Sequence, residues 1–277
     1  MKKILVTTDF SANSKAGLRF AIQLASQDSY ELVFFHSYYV KKPTTWSDKV
    51  LVSFENSEAT KIKSRLCLFV DTVYNSMGIK PLNYSCVIKS SFITDANIME
   101  YALKNKFDFI CISRRGNGKN KKIFGTNTSI LISHSDIPVI AVPNTYRKNK
   151  LTTILYASDL SSLENETLKV IDFAGPLKVK IELVHFKFPS DLNTGPKLIE
   201  KAIEKFSNHN IKIHFDNFDF TENLVSNLDK EIRRLKPSML VMFTQQNRSF
   251  FEKFFLSSSS AEYSLKAKVP LLVFKKA

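Results

Sequence analysis

The chain has 277 residues, 44% of them hydrophobic, and its 40 lysines and arginines against 26 aspartates and glutamates give a formal net charge of +14. That length suits two domains of ordinary size, and that composition suits a globular protein rather than a disordered or fibrous one. No stretch approaches the ~18 uninterrupted apolar residues of a membrane span, and the three cysteines and five histidines show neither CxxC pairing nor metal-ligand spacing.

The opening MKKILVTTDF begins basic and apolar, but Thr7, Thr8 and Asp9 end the apolar run after Val6. A first strand is therefore predicted rather than a secretory signal, and the chain is expected to be cytoplasmic. The polar turn TTDFS follows. Leu18, Ile22 and Ala25 mark a helix, and ELVFFH (31–36) a second strand. After a loop containing Trp46, the series Leu66, Phe69, Val70, Val73 and Met77 predicts a second helix. NYSCVI (83–88) predicts a third strand. Thr94–Lys104 predicts a third helix, with Asp95 and Lys104 at the ends the helix dipole favours. FICIS (109–113) reads as a fourth strand, 126–134 as a fourth helix and VIAV (139–142) as a fifth strand. Cys67, Cys86 and Cys111 are expected as reduced, mostly buried thiols, with Cys111 a small hydrophobe inside the fourth strand.

The chain then repeats itself. ILVTTDFS (4–11) matches ILYASDLS (154–161), ELVFFH (31–36) matches IELVH (181–185), KFDFICIS (106–113) matches KPSMLVMFT (236–244), and IPVIAVP (137–143) matches VPLLVF (269–274). Four blocks in one order imply two copies of one fold, joined by the polar, basic PNTYRKNK (143–150). Leu168, Ile171 and Phe173 or Ala174 are the expected inner face of the second copy's first helix. The strands are continuous apolar runs alternating with helices, the pattern of a parallel sheet covered on both faces. Residues 1–145 and 151–277 are the expected domains. The basic excess sits in the first: residues 1–150 hold 22 basic and 11 acidic side chains. Such charge favours anionic partners.

In doubly wound sheets, ligands bind beyond the carboxyl ends of the strands where strand order reverses. Two segments are expected to meet there, the TTDFS turn and SRRGNGKNKKIFGTNTS (113–129). The latter holds three of the chain's seven glycines, at 116, 118 and 125, and five basic residues, Arg114, Arg115, Lys119, Lys121 and Lys122. A glycine turn entering a helix offers free N–H groups and the positive helix end to a phosphate. Gly125 permits close approach, the hydroxyls of Thr126 and Thr128 can donate, and the guanidinium groups bind bidentately. The P-loop and the dinucleotide fingerprint do not fit, since no lysine follows Gly125 and Lys121 stands where a third glycine is needed.

Asp9 and Asp159 read as helix N-caps or turn formers, Ser11 and Ser161 as caps, and His36 and His185 as shared architecture. The sequence shows no nucleophile elbow with a Ser-His-Asp set, no HExxH and no carboxylate pair that can be placed, so an enzyme is not expected.

These residues resemble the universal stress protein family, as a tandem two-domain member. The carriers are ILVTTDFS with its helix, the strand ending in His36, the segment from Phe109 to His134, and IPVIAVP, with ILYASDLS and VPLLVF repeating the first and last. The resemblance implies two doubly wound α/β domains, each with a mostly parallel five-stranded sheet in the order 3-2-1-4-5 and helices on both faces. It further implies that VIAV and LLVF (271–274) pair the domains as an intramolecular pseudo-dimer, with homodimerisation beyond it. ATP-binding members carry GxxG, nine residues and G[ST]. This chain has SRRG, eight residues and Gly125-Thr126, so Ser113 replaces the first glycine and the spacer is one short. The implied function is a stress-response regulator whose first domain binds ATP, with Mg²⁺, or another adenine nucleotide. Its expected contacts are Thr8, Asp9, Ser37, Ser113, Arg114, Arg115, Gly116, Gly118, Gly125, Thr126, Asn127 and Thr128. The matching stretch of the second copy, FTQQNRSFFEKFFLSSSS (243–260), lacks glycine, and no nucleotide is expected there. The alternative is an interaction module without nucleotide, working through a protein partner. Specific nucleic-acid binding and membrane association are not expected.

Overall fold

A computed structural model describes residues 1–41, 47–81, 83–114, 126–187, 204, 206, 209–244 and 269–276. The described residues up to Lys148 form one compact unit and those from Asn149 onward another. Among the described residues, no helix is long and apolar enough to cross a membrane.

The first unit is a sheet of five parallel strands, β1 (Lys2–Thr7), β2 (Tyr30–Tyr38), β3 (Tyr84–Ser90), β4 (Phe109–Arg114) and β5 (Val139–Pro143), in the order β3-β2-β1-β4-β5. Ile4, Leu5 and Val6 of the central β1 are fully buried. That explains the continuous apolar run, because a strand covered on both faces has no outward side to make polar. Its described helices are α1 (Lys15–Ala25), α2 (Asp48–Met77), α3 (Thr94–Lys104) and α4 (Thr126–His134). α1 packs with α2, and α3 with α4. Leu66, Val70, Val73 and Met77 form the buried stripe of α2. Gly78, in the left-handed region at φ 61°, ends that helix. Asp95 and Lys104 lie in the first and last turns of α3.

The second unit repeats the plan. Its strands are β6 (Thr153–Ala157), β7 (Lys180–Lys187), β8 (Ile211–Asn217), β9 (Met239–Thr244) and β10 (Leu271–Lys275), all parallel in the order β8-β7-β6-β9-β10. Its described helices are α5 (Leu163–Leu177) and α6 (Leu224–Leu235). One expectation fails here. Leu168 is 48% exposed and Ile171 only partly buried, while the inner face of α5 is Val170, Phe173, Ala174 and Leu177. Those four follow the i, i+3, i+4, i+7 stripe, and Leu168 lies well off it.

Candidate functional site

Strand order reverses between β1 and β4, so the chain leaves these neighbours in opposite directions and a cleft opens beyond their carboxyl ends. Its volume is about 270 Å³. One wall is the turn after β1, a second is the end of β2 at His36 and Ser37, a third is the end of β4 at Ser113, and a fourth is the first turns of α3 and α4.

The turn is held by its own side chains. Asp9 Oδ1 accepts from the Ser11 N–H at 3.0 Å, Thr8 Oγ1 accepts from the Phe10 N–H at 3.1 Å, and the Thr8 and Ser14 hydroxyls are 2.8 Å apart. Asp9 is thus a turn former and not the cap of α1, whose N-cap is Ser14. Ser11 stabilises the same turn, accepting from the Ser14 N–H at 3.2 Å. Phe10 takes φ 61°, a conformation that costs a non-glycine residue about 1–2 kcal/mol. Its ring is wedged in place, 4.3 Å from the His36 ring, 5.6 Å from the Phe69 ring and 4.5 Å from the Arg65 guanidinium. The second unit repeats this geometry, with Leu160 at φ 64° and Asp159 Oδ1 accepting from the Ser161 N–H at 3.0 Å. The cap of α5 is Ser162 rather than Ser161.

The histidines lock this turn to β2 and β7. His36 Nδ1–H donates to the Thr8 carbonyl at 2.8 Å, and His185 Nδ1–H to the Ser158 carbonyl at 3.0 Å. Burial pushes the His36 pKa below the ordinary value, outweighing the opposing bond to Thr8 and the charge of Asp9. Burial pushes the Asp9 carboxyl the other way, but its hydrogen bonds from Ser11 and Ser14 prevail and hold it below the usual carboxylate range. The cleft therefore presents a carboxylate on one side and the N-terminus of α4, with Asn127 and Thr128, on another. A carboxylate, hydroxyls and a helix N-terminus fit a ligand with sugar hydroxyls and phosphates.

Of the expected contacts, Thr8, Asp9, Ser37, Ser113, Asn127 and Thr128 line this one cleft. Arg114, the last residue of β4, is buried and does not line it. Thr126 begins α4. Arg115, Gly116, Gly118 and Gly125 lie outside the described residues. Sequence reasoning passed over Asn13, Ser14, Thr94 and Ile98, which also line the cleft. Thr94 and Ile98 are one turn apart at the start of α3, a spacing that marks a shared face.

In the second unit the aspartate equivalent to Asp9 has a cation beside it. Lys276 follows β10; its side chain is 8% exposed and its ammonium lies 2.5 Å from Asp159 Oδ2 and 3.8 Å from Glu166 Oε1. Tyr156 donates to Glu166 Oε2 at 2.6 Å. The carboxylate equivalent to Asp9 thus already has a cation. In β9, Phe243 takes the register place that Ser113 has in β4.

A parallel sheet with helices and a polar cleft at its strand-order reversal defines a doubly wound α/β protein. The sequence model of the universal stress protein family matches residues 1–143, more than half the chain, and the chain belongs to that family. A universal stress protein of Archaeoglobus fulgidus DSM 4304 has a TM-score of 0.69 at 15% identity, covering 99% of this chain and 98% of that one. A putative universal stress protein of Pseudomonas aeruginosa UCBPP-PA14 has a TM-score of 0.57 at 15% identity, covering 99% and 93%. At such identities the likeness is one of fold. No curated protein matches the chain.

Proposed function

We propose that the first unit binds ATP or another adenine nucleotide as a regulatory ligand, and that the second unit is a structural universal stress protein domain whose own site is closed. The observation that carries the reading is the cleft, which gathers Thr8, Asp9, Ser37, Ser113, Asn127 and Thr128 from four separate elements. At about 270 Å³ it is close to the lower end of small-ligand sites, roughly 300 Å³, which suits a nucleoside. The phosphates would run toward the N-terminus of α4, and the ionised Asp9 would meet a ribose hydroxyl or the Mg²⁺ of a bound triphosphate. The role is regulatory binding rather than catalysis. In the second unit Lys276 occupies Asp159, which supports the absence of a ligand there.

Nuclear magnetic resonance tests this directly. Adding ATP with Mg²⁺ to isotope-labelled protein should shift the backbone signals of Thr8, Asp9, Ser37 and Thr128 and leave those of Ser158 and Asp159 in place. Unchanged signals at the first set would sink the proposal.

A second reading is an interaction module acting through a protein partner. It draws on an exposed aromatic pair just beyond the ends of β2 and β3, Tyr39 at 56% and Phe92 at 80% exposure, with ring centroids 5.3 Å apart. Exposed aromatics of this kind mark contact surfaces. A wild-type protein whose signals do not respond to nucleotide, together with loss of a partner in Phe92→Ser, would favour it.

A further inference from the structure

Two of the three cysteines have a placement the sequence does not suggest. Tyr84 of β3 donates to Asp71 Oδ1 of α2 at 2.8 Å, which fixes where the helix lies along the strand. Cys86 is two residues beyond Tyr84, on the same face of β3, roughly 7 Å along. Cys67 is four residues before Asp71, on the same face of α2, roughly 6 Å along. A helix returning between parallel strands runs opposite to them, so both steps go the same way. They bring the two thiols to face each other as Tyr84 faces Asp71. Neither is fully buried, whereas Cys111 is, so the expectation of mostly buried thiols holds only for Cys111.

We propose that Cys67 and Cys86 are a modification site, a thiol pair that converts reversibly to a disulfide and staples α2 to β3. The oxidant is a low-molecular-weight disulfide, RSSR. The Cys67 sulfur attacks it, forming a mixed disulfide and expelling one RS⁻, which takes the proton Cys67 gave up. The Cys86 sulfur then attacks Cys67 Sγ, breaks the mixed bond and releases the second RS⁻, which takes the Cys86 proton. Two protein thiols are oxidised and one RSSR is reduced to two RSH. Exchange of this kind depends on thiolate character and access. Burial first, and then the neighbouring Cys67, push the Cys86 thiol up to about 12, which makes Cys86 a poor first nucleophile. Once Cys67 is in the mixed disulfide its share of that effect is gone. Lys63, one turn before Cys67 on α2, favours the Cys86 thiolate. The staple would hold the helix that carries Arg65 and Phe69 against the Phe10 turn.

The test needs no nucleotide. The full-length protein is incubated with oxidised glutathione, acid-quenched, alkylated and analysed by mass. The expected result is that segment 66–89, which holds both cysteines, loses both alkylation sites and two hydrogens, that Cys111 stays alkylatable, and that dithiothreitol restores the segment. Cys86→Ser should instead keep glutathione on Cys67, and Cys67→Ser should form no disulfide. Wild-type protein in which both sites remain alkylatable, or in which glutathione persists on Cys67 as in Cys86→Ser, would overturn the proposal.

Discussion

The Ser113 hydroxyl accepts from the Gly17 N–H at 2.6 Å and donates to the Ser14 carbonyl at 3.0 Å, so the fourth strand caps the first helix. Gly17 is needed for that approach, because a Cβ there would lie 2.9 Å from Ser113 Oγ and 3.2 Å from the Ser113 nitrogen. Where nucleotide-binding members of the family have a glycine, this chain has a side chain whose hydroxyl is turned to α1.

Ser113→Ala should cost about 1–2 kcal/mol, since it strips a helix N–H of its acceptor. Gly17→Ala should cost about 1–3 kcal/mol through overpacking, although alanine is the better helix former. In a Ser113→Gly background the hydroxyl contact is gone and Gly17→Ala should cost less. Urea denaturation of the wild type and these four variants measures this, and equal costs of Gly17→Ala in both backgrounds would contradict the packing described.

The second unit should respond to Lys276→Met. Burial raises the Asp159 carboxyl, but Lys276 and the Ser161 bonds outweigh it, so its pKa lies below the ordinary value. Its contribution is therefore present above about pH 4 and is lost as pH falls through the folded-state value. Glu166 is the opposite case, raised chiefly by burial, so its contribution is present at low pH and is lost as pH rises through its folded-state value. Lys276→Met should cost about 1–2 kcal/mol at pH 7, less than a fully buried pair because Asp159 is largely exposed. It should also flatten the acid limb of Tm against pH. An unchanged limb would show that the ion pair contributes nothing.

His36 should titrate below the ordinary histidine value near 6.5, because burial favours its neutral ring. The stability it gives the turn is then complete above about pH 6.5 and falls away as pH drops through the folded-state pKa. A proton NMR titration reads the midpoint. A midpoint above 6.5 would mean that the Thr8 bond and the Asp9 charge, and not burial, dominate at that ring.

The sequence carried the fold clearly, because both halves repeat the same strand ends and both central strands are continuous apolar runs. The cleft was half legible. The turn from Thr8 to Ser11 and the strand-end Ser37 are local signals. Gly17 was hidden because a glycine inside a helix announces nothing until the strand beside it is placed. Lys276 looked like one more lysine near the chain end, since its partners Asp159 and Glu166 are more than a hundred residues away. Cys67 and Cys86 looked scattered because their meeting depends on how α2 lies along β3, which Tyr84 and Asp71 set. The inner face of α5 was misjudged at Leu168, a leucine that faces water.

The first unit is proposed to hold an adenine nucleotide and the second to hold none. Calorimetric titration of ATP with Mg²⁺ into the purified wild-type protein, beside Ser37→Trp, tests it most directly. One site per chain is expected, with affinity lost in the variant because an indole fills the cleft. No binding heat in the wild type, two sites per chain, or one site unaffected by Ser37→Trp would contradict it.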